Sequence, residues 1–335
     1  ILKSMKIKKN YKYLVLWIAN FCNLDCIYCY AKKSFDGSLM EWSIGEKALE
    51  FLNEDGTLVF VGGEPLLNFS LIVKIYEYLK YRGFKGKVSI QTNGVLIDDF
   101  MGKKLSEMDI KVGISLDGVQ EVNNFTRGKT KEVINGIRYL EKYEKNVSIN
   151  CVLTDKSIDL LENFIERLYM FKNINALGLD LLRVVENNLL KVPTQEKIYM
   201  NLKKTYEKSL FLGGILGKYI AIREIEDSKL RLEKNYESCN YCYSSIGETL
   251  VILPNGDTYP CSSLVNDSQY FMGNILEGEL KDIKLSSGKY EFCKTCEHKR
   301  YCRGACPSRL IINERVLEKE GDCNLRKAVF KIIKN

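Results

Sequence analysis

Cys22, Cys26 and Cys29 stand within eight residues in the spacing C-x-x-x-C-x-x-C. Thiolate is the ligand that iron–sulfur clusters take, and a [4Fe–4S] cube has four irons to cap. Three local thiolates leave one iron without a protein ligand, open to a chelating reagent. Zinc is the alternative, but zinc sites favour C-x-x-C pairs and close with four ligands. Eight further cysteines crowd the C-terminal third: Cys239, Cys242, Cys261, Cys293, Cys296, Cys302, Cys306 and Cys323. They divide into two sets of four, which suits two more clusters or two structural zincs. Of the 12 cysteines only Cys151 is left over, mid-strand, and it reads as a core residue. The single histidine, His298, sits beside Lys299 and Arg300 and reads as a surface residue between ligands. Metal chemistry in this chain is therefore sulfur chemistry.

The elements that must position these thiols alternate. Residues 13–19 form an apolar run that reads as a buried strand feeding the cysteine loop. Ser43 and Glu46 spell a capping box for the first helix. Strands follow at 57–61, 88–91, 111–116, 147–153 and 176–182, with helices expected from Ser70 to Gly83 and over 98–108, 130–143 and 157–170. Six strands separated by helices imply right-handed crossovers and a parallel sheet. The fold class is α/β, with a partial (β/α)6 barrel over 12–182. Sites in parallel α/β sheets lie at the C-terminal ends of strands. The thiol loop, Gly62-Gly63-Glu64-Pro65, Thr92-Asn93 and Ser115-Asp117 fall there together.

Pro193 and Thr194 open a long helix that Gly213, Gly214 and Gly217 are expected to break, and a second helix is expected over 218–232. The segment 183–236 thus reads as a helical bridge, and 237–335 as a cysteine-rich domain. Within that domain Asn255-Gly256 between two β runs predicts a hairpin that draws Cys242 and Cys261 together.

Composition bounds the rest. With 335 residues and 45% hydrophobic content the chain can bury a large core, roughly 75% of its unfolded surface. Twelve cysteines without a secretory signal argue for metal rather than disulfides and for a cytoplasmic protein. No uninterrupted apolar window is long enough for a membrane span. The net charge of +7 is modest, and Lys3, Lys6, Lys8, Lys9 and Lys12 read as a solvated face rather than a nucleic-acid patch. Met5 reads as the natural start.

C-x-x-x-C-x-aromatic-C, with Tyr28 as the aromatic, resembles the signature of the radical S-adenosylmethionine (SAM) superfamily. The resemblance implies that the open iron is chelated by the amino and carboxylate groups of SAM. Reductive cleavage then yields a 5′-deoxyadenosyl radical that abstracts hydrogen from substrate. Gly62-Gly63-Glu64-Pro65 is similar to the family's GGE motif, which receives the SAM amino group. Thr92 and Asn93 match Q-T-N-G, beside the ribose. Ser115 and Asp117 match S-L-D-G on the SAM side. In that subgroup a His-Asp pair and then an arginine follow; here the segment is Asn123-Asn124-Phe125-Thr126-Arg127, so only Arg127 carries over, toward the SAM carboxylate. Leu153 is implied to touch adenine through its backbone.

The C-terminal thiols resemble the SPASM extension of these enzymes: G-x4-C from Gly256 to Cys261, then C-x2-C-x5-C-x3-C from Cys293 to Cys306, then Cys323. By that resemblance two auxiliary [4Fe–4S] clusters are held in interleaved sets. Cys239, Cys242, Cys261 and Cys306 take the nearer, and Cys293, Cys296, Cys302 and Cys323 the farther.

Three functions are consistent with these motifs. The first is a maturase that crosslinks or oxidises a peptide or protein, served by a flavodoxin- or ferredoxin-type reductant. Only 21 residues precede Cys22, so a leader-binding domain is expected to be absent or a separate protein. Sulfatase maturases carry a basic aspartate after the cysteine matching Cys261; here that position is Ser262. The second is a dehydrogenase or decarboxylase of a small molecule or cofactor precursor, and the third a non-catalytic iron–sulfur electron carrier. Candidate substrate groups are Tyr30, Asp180, Arg183 and Glu186.

Overall fold

The computed structural model describes residues 9–184, 189–237, 240–286, 291–314 and 321–334. The expected Glu186 and Cys239 lie outside the described residues. The first half runs β1 (Tyr11–Ala19), α1 (Trp42–Leu49), β2 (Leu52–Gly62), α2 (Phe69–Tyr81), β3 (Lys87–Thr92), α3 (Asp99–Glu107), β4 (Ile110–Ser115), α4 (Gln120–Thr126), α5 (Thr130–Lys142), β5 (Val147–Leu153), α6 (Leu161–Leu168) and β6 (Ile174–Leu181). The second half adds α7 (Gln195–Leu216), β7 (Ala221–Ile222), α8 (Arg223–Glu233), β8 (Thr249–Ile252), β9 (Asp257–Tyr259), β10 (Gly273–Asn274), α9 (Pro307–Glu314) and α10 (Gly321–Lys334).

All ten strands join one sheet in the order β10-β9-β8-β1-β2-β3-β4-β5-β6-β7. β1 through β7 are parallel, β8 pairs parallel with β1, and only β8–β9 and β9–β10 are antiparallel. Alternate residues of the inner strands face a single cavity: Val59 and Val61, Ser89 and Gln91, Lys111, Gly113 and Ser115, Ser148, Asn150 and Val152, Leu179 and Leu181. Side chains two apart share a sheet face, so a sheet that wraps six strands around one space is a partial barrel.

The opposite face packs under the helices. Leu71, Ile72, Ile75 and Leu79 of α2, Val133, Ile137 and Leu140 of α5, and Leu161, Phe164, Ile165 and Leu168 of α6 are buried in one core with Ile90, Ile114 and Ile149. Their spacing at three and four residues is the stripe a helix buries on a sheet.

Several local expectations give way to tertiary contacts. The Ser43–Glu46 capping box does not form: α1 begins at Trp42, after Glu41, and no side chain caps it. The reason lies one residue upstream, where the Met40 amide donates to the Ile18 carbonyl at 2.9 Å and draws the chain onto β1. Gly213 and Gly214 do not break α7; only Gly217, in the left-handed region at φ 62°, ends it. The 218–232 run is not wholly helical, because Ala221–Ile222 pair with Ala176 and Leu177 of β6 before α8 starts. Nor is the C-terminal hairpin separate from the barrel, since Tyr13–Leu16 pair with Thr249–Ile252. His298 is not on the surface. It is 9% exposed and stacks on Phe330 at 4.7 Å between ring centroids. Cys151 is a fully buried core residue.

Candidate functional site

The cysteine loop is pinned to its neighbours through its backbone. The Gly63 and Glu64 amides donate to the carbonyls of Ala19 and Phe21, each at 2.9 Å, and the Ile27 amide to Thr126 at 3.0 Å. A Cβ on Gly63 would stand 2.1 Å from the Phe21 carbonyl oxygen, and one on Gly62, at φ 155°, 2.5 Å from that of Ala19. The two glycines are thus required by the approach of β2 to the cysteine loop itself, and both still line the cavity.

Glu64 is fully buried and its carboxylate is spent on the protein. Oε1 accepts from the Thr92 hydroxyl at 2.6 Å and the Leu66 amide at 3.0 Å, and Oε2 from the Asn93 amide at 2.7 Å. Burial pushes its pKa up to about 7, opposed by these three donors. The side chain therefore locks the β2 and β3 ends together, while the Gly62-Gly63 backbone faces the cavity. Pro65 is buried at the start of the following 3-10 turn. The Asn93 amide nitrogen reaches the Asn23 side chain at 2.7 Å, beside Cys22 Sγ at 3.7 Å.

Asp117 is a second buried hub. Its Oδ2 accepts from the Tyr28 hydroxyl and from the Thr126 hydroxyl at 3.0 Å and forms an ion pair with the Arg127 guanidinium at 2.9 Å, and its Oδ1 accepts from the Val152 amide at 3.0 Å. Arg127 also lies over the Tyr28 ring, 5.3 Å from its centroid. The aromatic of the cysteine motif is thereby clamped to the ends of β4 and β5. Arg127 lines the cavity; Asp117 does not, and Leu153 is buried behind Val152, which does.

Across the barrel runs a chain of polar groups. The Gln91 amide donates to Ser115 Oγ at 3.0 Å, Asn150 donates to Gln91, and Arg223 from the start of α8 donates to Asn150 at 2.6 Å. Gly113 and Gly178 leave room for it, since a Cβ at either would overlap Gln91 or Arg223. The whole space is a cavity of about 690 Å³. It reaches from the three thiols to Ser262, Arg309, Asp322 and Arg326 of the C-terminal region.

The C-terminal thiols fall into two neighbourhoods. Cys261 and Cys306 are close enough to feel each other's charge, and Ser308 serves both sulfurs. Cys242 and Cys261 both lie within electrostatic reach of the Tyr13 hydroxyl. Cys323 is similarly near Cys293, Cys296 and Cys302. Between the first neighbourhood and the barrel, Asp180 pairs with Arg183 at 2.8 Å and with Arg309, which also binds Asp322 and the Leu181 carbonyl. Tyr30 lies under Arg183, 5.3 Å away.

These thiols suit polynuclear clusters. Burial pushes the Cys26 thiol up to about 12, so it ionises only when metal takes the proton's place. Backbone amides of Leu24 and Gly304 donate to the sulfurs of Cys22 and Cys302, both at 3.4 Å, as cluster sulfurs accept.

Residues 18–168 match the Radical SAM superfamily, and residues 239–307 match SPASM, an iron–sulfur cluster-binding domain. The chain belongs to the radical SAM superfamily and carries a C-terminal SPASM region. It is 34% identical over 294 residues to an uncharacterised protein of Methanocaldococcus jannaschii, covering 84% of this chain and 94% of that one. It is 26% identical over 323 residues to a cysteine-type anaerobic sulfatase-maturating enzyme of Clostridium perfringens, covering 85% of each. Its fold matches the solved structure of native anSMEcpe with bound AdoMet and the Cp18Cys peptide, with a TM-score of 0.76, 24% identity and 96% of each chain covered. The family defines an enzyme that uses iron–sulfur and SAM chemistry. Among the described residues no helix is long and apolar enough to cross a membrane.

Sequence reasoning missed the residues that hold the site rather than touch a ligand. Asn150, Arg223, Arg309 and Asp322 carry no motif of their own, whereas Asn23 lies inside the cysteine loop and Gln91 opens Gln91-Thr92-Asn93-Gly94, a local signal that could have found them.

Proposed function

We propose that this chain is a radical SAM oxidoreductase that modifies a side chain of a peptide or protein. The organisation we assign is a barrel over 12–182, a bridge over 183–236 and the auxiliary-cluster domain over 237–335. Cys22, Cys26 and Cys29 hold the SAM-binding cluster. Cys242, Cys261 and Cys306, with Cys239, hold the nearer auxiliary cluster, and Cys293, Cys296, Cys302 and Cys323 the farther. When bound, the open-iron cluster supplies the electron that splits SAM and so generates the hydrogen-abstracting radical.

The chain's own residues shape what that radical meets. The Gly62-Gly63 backbone, fixed by Glu64 and Pro65, bounds the SAM amino group. On this reading Thr92 and Asn93 would flank the ribose, Arg127 would face the carboxylate, Ser115 would lie on the SAM side, and Leu153, beside the cavity-lining Val152, would lie toward adenine. Tyr28, clamped by Asp117, sets the loop's depth. Tyr30 and Asp180 wall the space between the two thiol sets, where substrate would lie.

The observation that carries the reading is the single cavity that runs from the cysteine loop to Tyr241, Ser262, Arg309 and Asp322 of the C-terminal region, Ser262 standing next to Cys261. Its volume of about 690 Å³ is that of one ligand-sized site. Overlap across 85% of a cysteine-type maturase supports a protein substrate. Ser262 in place of a basic aspartate argues for a different oxidation from the one that family performs. The charged wall of Asp180, Arg223, Glu224 and Arg326 favours a second reading, a small charged molecule.

Anaerobic reconstitution followed by dithionite and SAM tests this. Formation of 5′-deoxyadenosine is expected, and its absence would leave an electron carrier. Deuterium moving from a labelled candidate peptide into 5′-deoxyadenosine is the expected second result; transfer only from a small acid would sink the peptide assignment. In the cell the electron would come from a flavodoxin- or ferredoxin-type donor, and a separate leader-binding protein is a possible third party.

A further inference from the structure

Arg183 sits where β6 ends and the chain turns toward the C-terminal domain. Its side chain is 15% exposed and is held on three sides. Nη1 donates to Asp180 at 2.8 Å, the guanidinium lies over the ring of Tyr30, and Nη2 points at Cys306 Sγ, 3.9 Å away. The third nitrogen, Nε, is buried and finds no hydrogen-bond acceptor among the described residues.

The surroundings make this placement rigid. Asp180 is shared with Arg309, which is anchored to Asp322 and to the Leu181 carbonyl. Asp322 in turn accepts from the Cys306 amide at 3.2 Å. One carboxylate, Asp180, is thus divided between two guanidiniums. Arg309 also pairs with Asp322, so two guanidiniums meet two carboxylates, and Arg183 is the member of the group in contact with sulfur.

We infer that Arg183 sets the reduction potential of the nearer auxiliary cluster, by placing a desolvated cation and N–H donors against its sulfur. The inference rests on the assignment of Cys261 and Cys306 to that cluster. Hydrogen bonds to sulfur, net charge and solvent exposure are what tune such clusters. Reduction adds a negative charge, and a fixed cation in a poorly screened site favours the reduced state. The buried Nε, which has no acceptor among the described residues, would be free to donate to a cluster sulfur. Arg183 is a tuning residue here, not a catalytic one. It makes the nearer cluster easier to reduce than that cluster would be without the side chain.

The test is a potentiometric titration, read by electron paramagnetic resonance, of the full-length reconstituted protein. Addition of SAM marks the first cluster's signal, and Cys306→Ala marks the nearer auxiliary one. In Arg183→Gln the nearer cluster's one-electron reduction equilibrium is expected to fall at least tenfold, a shift of about 59 mV to lower potential. Arg183→Lys, which keeps the charge but loses the fork, should fall between, and the other two potentials should stay. Unchanged potentials in a fully loaded Gln variant overturn the proposal. So does loss of one cluster's iron in Arg183→Gln with a wild-type potential in Arg183→Lys, which makes the side chain a structural prop. Wild-type protein lacking auxiliary iron overturns the cofactor assignment as well, and the iron count shows that before any titration.

Discussion

Arg127 Nε lies 2.9 Å from Asp117 Oδ2 in a site where Asp117 has no solvent exposure and Arg127 only 13%. Removing one partner of a buried ion pair leaves an uncompensated charge, at a cost of about 3–5 kcal/mol. Asp117→Asn is therefore expected to lower stability by that amount in a urea titration. It should also loosen Tyr28 and with it the cysteine loop, so the variant that does fold should bind less iron. Stability within 1 kcal/mol of wild type, on the scale of an exposed pair, would show that the hub does not hold the loop.

Glu64 gives a pH dependence of known sign. Its folded-state pKa of about 7 stands above the ordinary 4.5. Between those values the folded chain keeps a proton that the unfolded chain has released, so stability falls as pH rises from 4.5 to 7. The gap is worth about 3 kcal/mol. Glu64→Gln should flatten this window. Below pH 4.5 it should also lower stability by about 1–3 kcal/mol, because the amide NH2 would face a backbone N–H, so the two curves close on each other as pH rises toward 7. Denaturation midpoints of both proteins across pH 4 to 8 decide; parallel curves would refute the assignment.

Two glycine variants separate packing from helix propensity. Gly63→Ala drives a Cβ against the Phe21 carbonyl and is expected to abolish iron binding at the first cluster, measured by iron content and by loss of the SAM-sensitive spectrum. Gly214→Ala meets nothing within 4 Å in the last turn of α7 and should raise stability by up to about 0.5–1 kcal/mol. A Gly63→Ala protein with full iron would mean that β2 can retreat from the loop.

Cysteine variants should divide the clusters cleanly. Cys26→Ala is expected to reduce 5′-deoxyadenosine formation to background while both auxiliary spectra persist. Cys302→Ala should remove the farther cluster's iron and leave SAM cleavage intact. Full iron in the Cys302 variant would move that cysteine out of the ligand set.

What was legible in the sequence follows from short-range chemistry. The thiol spacing needed no fold to suggest a cube with an open iron. β5 is bounded as the alternation of residues 147–153 implied, and Asp98 and Thr194 cap α3 and α7 as their types suggest. The Ser43 box failed because the Met40 amide engages Ile18 first, and Gly213 stays helical because α7 packs beside Tyr169, whose hydroxyl donates to the Ser209 carbonyl at 2.7 Å. Local propensities of this size are overridden by one good tertiary contact.

The amino-acid order by itself determined the ligand types, the alternation of strands and helices, and the strand ends at which the SAM-side motifs fall. Only the tertiary structure decided that Glu64 and Asp117 spend their carboxylates on the protein, that His298 is buried on Phe330, and that the C-terminal hairpin continues the barrel sheet through β8. Asp180 and Arg309 meet across 129 residues of chain, and no local pattern encodes such a meeting. It exists because burying a charge is costly unless folding brings its partner.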